Sequence, residues 1–340
     1  MKLTWETFTI KAKHPFKISR AVKQSVERVW VRVAADGLEG WGEAAPSRFY
    51  GETAGTVVAA LERMRPVIEG AEDPGKLETL ERELRGAIGH NGSAHAAVSA
   101  ALHDLVGKDA GLPLWKLWGL DPAEAPLSSF TIGLDEPDVV RQKVLEAAEY
   151  PILKVKLGTA RDEEILSTIC DAASPETVLR VDANAAWTAR QAVERIEMLA
   201  AYGVEFVEQP LDPADHEGFR FLHGRSALPI IADESCIDSA GVPGLVGLVD
   251  GINIKLAKCG GPREALRMIH SARSSGLLVM MGCMLESSLG IAPAAHLASL
   301  LDYADLDGAA LLAEDPFVGP GLVGPAIQAG DAPGLGVTVA

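Results

Sequence analysis

Ile152-Leu153-Lys154-Val155-Lys156-Leu157-Gly158 is the stretch whose reading decides the fold. Written as a strand it alternates: Leu153, Val155 and Leu157 share one face, and Lys154 and Lys156 the other. The apolar face suits packing under a helix. The other face sets two ammonium groups side by side, where each lowers the other's affinity for a proton. If that face looks into the mouth of a barrel, one of the lysines can serve as a base at neutral pH. The rival is an edge strand whose solvated lysines guard against aggregation. The rest of the chain decides between them.

Downstream and upstream of it, short β-rich runs recur at 128–134, 152–158, 178–184, 205–210, 229–235, 251–258, 277–283 and 303–308. Amphipathic stretches such as 189–202 and 262–275 separate most of them. Lys156, Asp182, Glu208, Asp233 and Lys255 follow one another at intervals of 26, 26, 25 and 22 residues. A strand–helix unit repeating at this length predicts an α/β fold built as a (β/α) barrel. A doubly wound open sheet is disfavoured, because no Gly-rich phosphate loop follows the first strand.

Residues 1–115 read as an α+β unit. Strands are expected at 3–12 and 26–34, and helices at 53–68, 77–88 and 93–108. Ala35-Asp36-Gly37 makes a turn, and Gly40-Trp41-Gly42-Glu43-Ala44 leads into a Pro-containing loop. The barrel then occupies 116–315. The Gly- and Pro-rich tail, 316–340, is expected to return and complete the N-terminal unit.

The 340 residues are 48% hydrophobic and 23% charged, an ordinary globular balance. A net charge of -16 argues against nucleic acid or an anionic membrane as partner. Met1 to Ile10 alternates polar and apolar, unlike a signal sequence, and the apolar run at 277–285 is too short to span a bilayer. Cys170, Cys236, Cys259 and Cys283 show no short paired spacing. That fits a reduced, cytoplasmic protein without a structural zinc site.

Chemistry in a barrel enzyme sits at the C-terminal ends of the strands. Here those ends carry Lys154 and Lys156, Asp182 and Asn184, Glu208, Asp233 and Glu234, Lys255, and Asp305 and Asp307. Asp182, Glu208 and Asp233 come from three consecutive strands and can converge. Three crowded carboxylates repel unless a cation neutralises them, and an all-oxygen set favours Mg²⁺ or Mn²⁺ over zinc. Lys156 and Lys255 then lie on opposite sides of the arc. That arrangement suits removal of a proton next to a carboxylate and its return from the other face, with charge stabilisation by the metal.

The set Lys154-x-Lys156, Asp182-x-Asn184, Glu208-Gln209-Pro210, Ala232-Asp233-Glu234-Ser235, Asn253-Ile254-Lys255 and the Gly260-Gly261 pair resembles the enolase superfamily, muconate-lactonizing subgroup. Asp305-x-Asp307-Gly308, Gly282-Cys283-Met284-Leu285-Glu286-Ser287 and Arg48-Phe49-Tyr50-Gly51-Glu52-Thr53 make it most similar to the dipeptide epimerases of the L-Ala-D/L-Glu epimerase type. The resemblance implies a modified barrel of the (β/α)7β type with an α+β capping domain, often in homo-oligomers. It implies one Mg²⁺ per subunit held by Asp182, Glu208 and Asp233. Lys156 and Lys255 become the acid/base pair, and Lys154 tunes Lys156 and touches the substrate. Asp305 and Asp307 bind the free ammonium of a dipeptide, Asn184 and Glu234 support from behind, and Arg20 pairs with a side-chain carboxylate, with Lys23 and Arg48 nearby.

Rival readings follow from the same residues. An o-succinylbenzoate synthase or N-succinylamino acid racemase would leave Asp305 and Asp307 without a cation. A dipeptide epimerase for a second residue other than Glu keeps the mechanism and changes only the cap. A Schiff-base aldolase needs a lysine but no carboxylate arc. A binding protein on an old enzyme scaffold would have no reason to keep so many ionisable groups together. His95, His103 and His296 fall in helical patterns and read as packing or surface residues.

Overall fold

The computed structural model describes residues 1–18 and 21–340. Three antiparallel strands open the chain, β1 (Lys2–Ile18), β2 (Ala21–Ala35) and β3 (Leu38–Ala44), in that spatial order. Helices α1 (Ala54–Gly70), α2 (Leu77–Ala87) and α3 (Gly92–Ala110) follow, close to the expected bounds. Thr53 starts α1 with a reciprocal cap to Thr56.

Strand β3 was not among the expected strands, although 40–44 does lead into the Pro46 loop as expected. Its glycines look like turn residues but serve close contact. A Cβ on Gly40 would lie 2.0 Å from the Ala101 carbonyl oxygen, and one on Gly42 2.1 Å from that of Ala97. Both carbonyls belong to α3, so the helix rests directly on the strand backbone. The opposite side of α3 meets the barrel. A Cβ on Gly92 would lie 2.2 Å from Lys258 O, and one on Gly261 2.6 Å from Ser99 Cβ. The Gly260-Gly261 pair is therefore a seat for the capping helix.

Eight parallel strands form the second sheet: β4 (Phe130–Ile132), β5 (Ile152–Lys156), β6 (Val178–Asp182), β7 (Val204–Glu208), β8 (Ile230–Ala232), β9 (Gly251–Ile254), β10 (Leu278–Gly282) and β11 (Tyr303–Asp305). Each corresponds to one of the expected runs. A parallel bridge between Ser128 and Ala304 joins β4 to β11 and closes the sheet into a barrel. The alternation in β5 holds as expected. Leu153, Val155 and Leu157 are buried against the helices, while Lys154 and Lys156 point into the barrel. Beneath the lysines, Phe206, Ile231 and Met280 pack together with Tyr303, and the Arg180 guanidinium stacks 4.7 Å from the Tyr303 ring centroid. This layer floors the mouth.

The short 22-residue step between Asp233 and Lys255 has a structural cause. The crossover there carries a 3-10 turn, Val242–Leu245, where the other crossovers carry α-helices. After β11 the tail forms two small antiparallel pairs, and Phe317 packs edge-on against Trp30, with ring centroids 5.1 Å apart. No helix among the described residues is long and apolar enough to cross a membrane.

Candidate active site

The parallel register places the site. Lys156 pairs with Asp182 across β5–β6, and Asp182 with Glu208 across β6–β7. In-register neighbours in a parallel sheet project to the same side at the same height. Asp182, Glu208 and Asp233 thus converge, with oxygens within 4.8 Å of one another, and all three are buried. They are the one such metal-competent group among the described residues.

Lysines hold the triad at both ends. Lys156 Nζ donates to Asp182 Oδ2 at 2.6 Å, and Lys255 Nζ to Asp233 Oδ2 at 2.7 Å. Lys154 Nζ sits 2.6 Å from Glu208 Oε2, 2.7 Å from Asp305 Oδ2 and 3.5 Å from Asp182 Oδ2. This corrects one premise. Lys154 was expected to lose proton affinity beside Lys156. Burial does oppose its charge, but Asp305, Glu208 and Asp182 outweigh burial and push its pKa above the ordinary value. Lys255 is likewise raised, burial being outweighed by Asp233 and Glu208.

The carboxyls divide by the charges around them. Burial pushes Asp182 up, but Lys156 and Lys154 hold it at about 2. Burial also opposes ionisation of Asp233, and Lys255 and Lys258 hold it well below the carboxylate range. Glu208, in the middle of the arc, is pushed up to about 7 by burial and by Asp182. An all-oxygen set this buried, whose central member is held back from ionising by burial and by the neighbouring Asp182 charge, fits a hard divalent cation such as Mg²⁺.

The remaining expected residues fall around this centre. Asn184 donates to Asp182 through its backbone N–H at 2.8 Å and its side-chain Nδ2 at 3.1 Å. Glu234 is buried at the mouth. Asp305 accepts from Ser129 Oγ at 2.7 Å, and Asp307 from the Thr131 N–H at 2.6 Å. Lys154 holds Asp305 below its ordinary pKa against the effect of burial, whereas burial and the Asp305 charge push Asp307 up to about 7. Of the two, Asp307 is thus the more readily protonated. A cavity of about 850 Å³ covers the mouth, and Lys23 and Arg48 from the cap line it. Arg20 lies outside the described residues. Burial raises the thiols of Cys236 and Cys259 to about 11 and 12, which leaves neither as a nucleophile. His95 and His103 are buried on backbone carbonyls, as packing residues would be.

Four contributors were given no role in the sequence reading. Lys258 Nζ donates to Asp233 Oδ1 at 2.6 Å and lies near the carbonyls of Asp233, Cys236 and Asn253. Asn253 Nδ2 donates to Glu208 Oε1 at 2.8 Å. Gln209 Oε1 accepts from the Asp233 and Ser235 N–H groups, which ties β7 to the loop after β8. Thr131 carries Asp307. The available signal was position: each lies within three residues of a predicted site residue or on the neighbouring strand end.

Residues 138–340 match the family described as enolase C-terminal domain-like, and residues 4–119 the mandelate racemase / muconate lactonizing enzyme N-terminal domain. The L-Ala-D/L-Glu epimerase of Bacteroides thetaiotaomicron is 39% identical over 339 residues, covering 99% of this chain and 88% of that protein. The hydrophobic dipeptide epimerase of Roseobacter litoralis is 38% identical, covering 97% of this chain and 98% of that one. Among solved structures, the dipeptide epimerase of Enterococcus faecalis complexed with Mg and L-Leu-L-Tyr aligns with a TM-score of 0.92 at 35% identity, covering 99% of both chains. The substrate-liganded L-Ala-D/L-Glu epimerase of Bacillus subtilis aligns with a TM-score of 0.94 at 28% identity, covering 99% of this chain and 98% of that one. With both domains matched and the acidic triad assembled at the barrel mouth, the chain belongs to the enolase superfamily, with the mandelate racemase / muconate lactonizing enzyme type of N-terminal domain.

Proposed function

We propose that this protein is a Mg²⁺-dependent dipeptide epimerase that inverts the α-carbon of the C-terminal residue, with L-Ala-L-Glu and L-Ala-D-Glu as its substrates. The observation that carries the reading is the flanking of one buried carboxylate arc by Lys156 on one side and Lys255 on the other. Asp182, Glu208 and Asp233 would hold the cation. Bound there, the cation would offset the carboxylate charge that raises the lysines' proton affinity and would draw electron density from a substrate carboxylate, acidifying the neighbouring C–H.

The chain's own groups do the rest. Lys156 takes the α-proton from one face and Lys255 delivers one to the other; the reverse reaction exchanges their roles. Asp307, with Asp305 beside it, holds the dipeptide's ammonium and fixes the α-carbon between the lysines. Lys154 keeps Asp305 and Glu208 in place. Asn184 orients Asp182, and Glu234 orients Lys255. Lys23 and Arg48 on the cap side of the cavity favour an acidic second residue, and Arg20 is assigned to the same role. N-succinylated substrates have no ammonium for Asp307.

The division into a barrel of 116–315 and a capping unit of 1–115 completed by 316–340 is part of this proposal, and the packing of Phe317 on Trp30 supports it. So are a cytoplasmic location, which four free thiols suit, and a homo-oligomeric state. The test is a mass-spectrometric assay in D₂O with Mg²⁺ over L-Ala-L-Xaa dipeptides and N-succinyl amino acids. A one-dalton gain on L-Ala-L-Glu that a chelator abolishes is expected. A gain on succinylated compounds alone would overturn the substrate class.

A further inference from the structure

The loop that follows β10 forms part of the catalytic cavity and is gripped from the N-terminal sheet. Cys283, Met284 and Leu285 line the cavity together with Asp307. The loop also rests on the backbone beside Asp307. A Cβ on Gly308 would lie 2.4 Å from Met284 O and 3.1 Å from Glu286 N. Leu285 is held twice. Its side chain packs with Ile10 of β1, and with Phe8 and Val26. Its carbonyl accepts from Arg28 Nε at 2.8 Å and from Arg28 Nη2. The third nitrogen, Nη1, donates to Glu27 O at 2.7 Å and fixes the guanidinium plane on β2.

The local sequence explains why an arginine reaches this loop. Val29, Val31 and Val33 of β2 share a core with Leu61, Met64 and Leu102 of the helices, so Arg28 projects from the other face of the sheet, towards the barrel. It is only 2% exposed. The Glu43 carboxyl of β3 lies 3.8 Å from Arg28 Nε, and it accepts in turn from the N–H and the hydroxyl of Ser287, which caps the helix Ser288–Leu297. The loop is therefore tied to the N-terminal sheet at Leu285 and again at Ser287. A planar guanidinium can set two N–H groups on one carbonyl and brace itself with a third; an ammonium on a flexible stem fixes no such direction.

We propose that Arg28 is a positioning residue of the active site, whose guanidinium holds the loop after β10 in the shape that walls the cavity beside Asp307. This rests on the epimerase reading for its kinetic consequence and deepens it. Arg28 acts on the substrate through Leu285, Met284 and the backbone at Gly308, so the docking of the N-terminal sheet and the shaping of the ammonium end of the site are one event.

The experiment compares wild type, Arg28→Lys and Arg28→Met in two readouts. Cys283 is the loop's own reporter: it is half-buried, and burial and Asp307 push its thiol up. Its rate of alkylation by iodoacetamide, read by peptide mass spectrometry, follows the loop. Cys236 and Cys259 are buried and report opening of the barrel as a whole. Both variants are expected to label Cys283 about tenfold faster or more, the shift that losing a buried hydrogen bond makes in a local opening equilibrium, while Cys236 and Cys259 stay protected. The kcat/KM for L-Ala-L-Glu in D₂O with Mg²⁺ is expected to fall about ten- to a hundredfold, and Arg28→Lys, which restores the charge alone, is expected not to rescue it. Labelling of Cys283 that is unchanged, or that rises in step with Cys236 and Cys259, overturns the positioning role. So does a freed Cys283 with undiminished kcat/KM. If one variant does not fold, the other decides. Wild-type protein that exchanges no dipeptide overturns the epimerase reading instead, and the labelling still decides whether Arg28 holds the loop.

Discussion

Lys258 Nζ donates to Asp233 twice, to Oδ1 at 2.6 Å and to the main-chain carbonyl at 2.5 Å. It is fully buried and faces away from the chamber, with the Cys236 and Asn253 carbonyls completing its surroundings. Asp233 is left with one oxygen, Oδ2, which faces Lys255 and the other carboxylates. Lys258 acts as a fixed positive charge that aims a ligand. Lys258→Met strands a buried carboxylate oxygen, and removing one partner of such a pair costs roughly 3–5 kcal/mol. Urea unfolding of the metal-free protein is expected to show that loss, and titration calorimetry a weaker Mg²⁺ affinity. Unchanged stability and affinity would make Lys258 a bystander.

Lys156→Ala and Lys255→Ala are each expected to lose epimerisation by about 10²- to 10⁴-fold, the range that one positioned acid/base group supplies. Under the proposed assignment of the lysines to opposite faces, each variant should still exchange the α-proton of one epimer in D₂O, a different epimer for each. Loss of exchange on the same epimer in both variants would remove the two-face assignment.

The buried carboxyls predict a pH dependence of stability. Glu43 is raised to about 8 by burial against the partial relief of Arg28 and Ser287, and Glu208 and Asp307 to about 7. Each binds its proton more tightly folded than unfolded, so stability falls as pH climbs towards those values. Buried His95, His103 and His296, lowered to about 4, act in the opposite sense, but only below their ordinary value of 6.5. Between about pH 6.5 and 8 the carboxyls act alone. The thermal midpoint of the metal-free protein should therefore fall across that window, and Glu43→Gln should flatten the slope. Mg²⁺ at a hundred times its dissociation constant should add about 2.7 kcal/mol. A midpoint that rises from pH 6.5 to 8 would contradict this.

Gly282 ends β10 beside Lys255, the lysine proposed as one of the two acid/base groups. A Cβ there would lie 2.9 Å from Asn253 Nδ2 and 3.1 Å from Lys255 Cε. Both are ends of flexible side chains, so the fold can accommodate Gly282→Ala while the site cannot. A displacement of about 1 Å costs on the order of a hundredfold in rate. The variant is expected to keep its thermal midpoint within a few degrees and to lose kcat while KM changes little. A parallel loss of midpoint and activity would assign Gly282 to folding instead.

The barrel was legible because its strand ends repeat. Lys156, Asp182, Glu208 and Asp233 stand at near-constant intervals, and their lateral register follows from that spacing. What escaped was whatever depends on backbone proximity. Gly40 and Gly42 were not assigned to a strand, and their contact with α3 has no local sign. Lys258 sits three residues from Lys255, within a motif that was read for its first lysine alone. The state of Lys154 was misjudged for a related reason. A strand shows which residues share its face, but the charges that decide a pKa come from other strands, here Asp305 on β11 and Glu208 on β7.

The place where the barrel closes is also the place assigned to the substrate's amino group. A bridge at Ser128 and Ala304 joins the first strand to the last, and the bonds from Ser129 to Asp305 and from Thr131 to Asp307 reinforce it. Recognition and closure therefore draw on the same two aspartates. A lineage that abandoned free-amine substrates could not simply discard these acids, because it would loosen its own seam. Ser129 and Thr131 would have to change with them, so a shift in diet at this site requires several coordinated replacements rather than one.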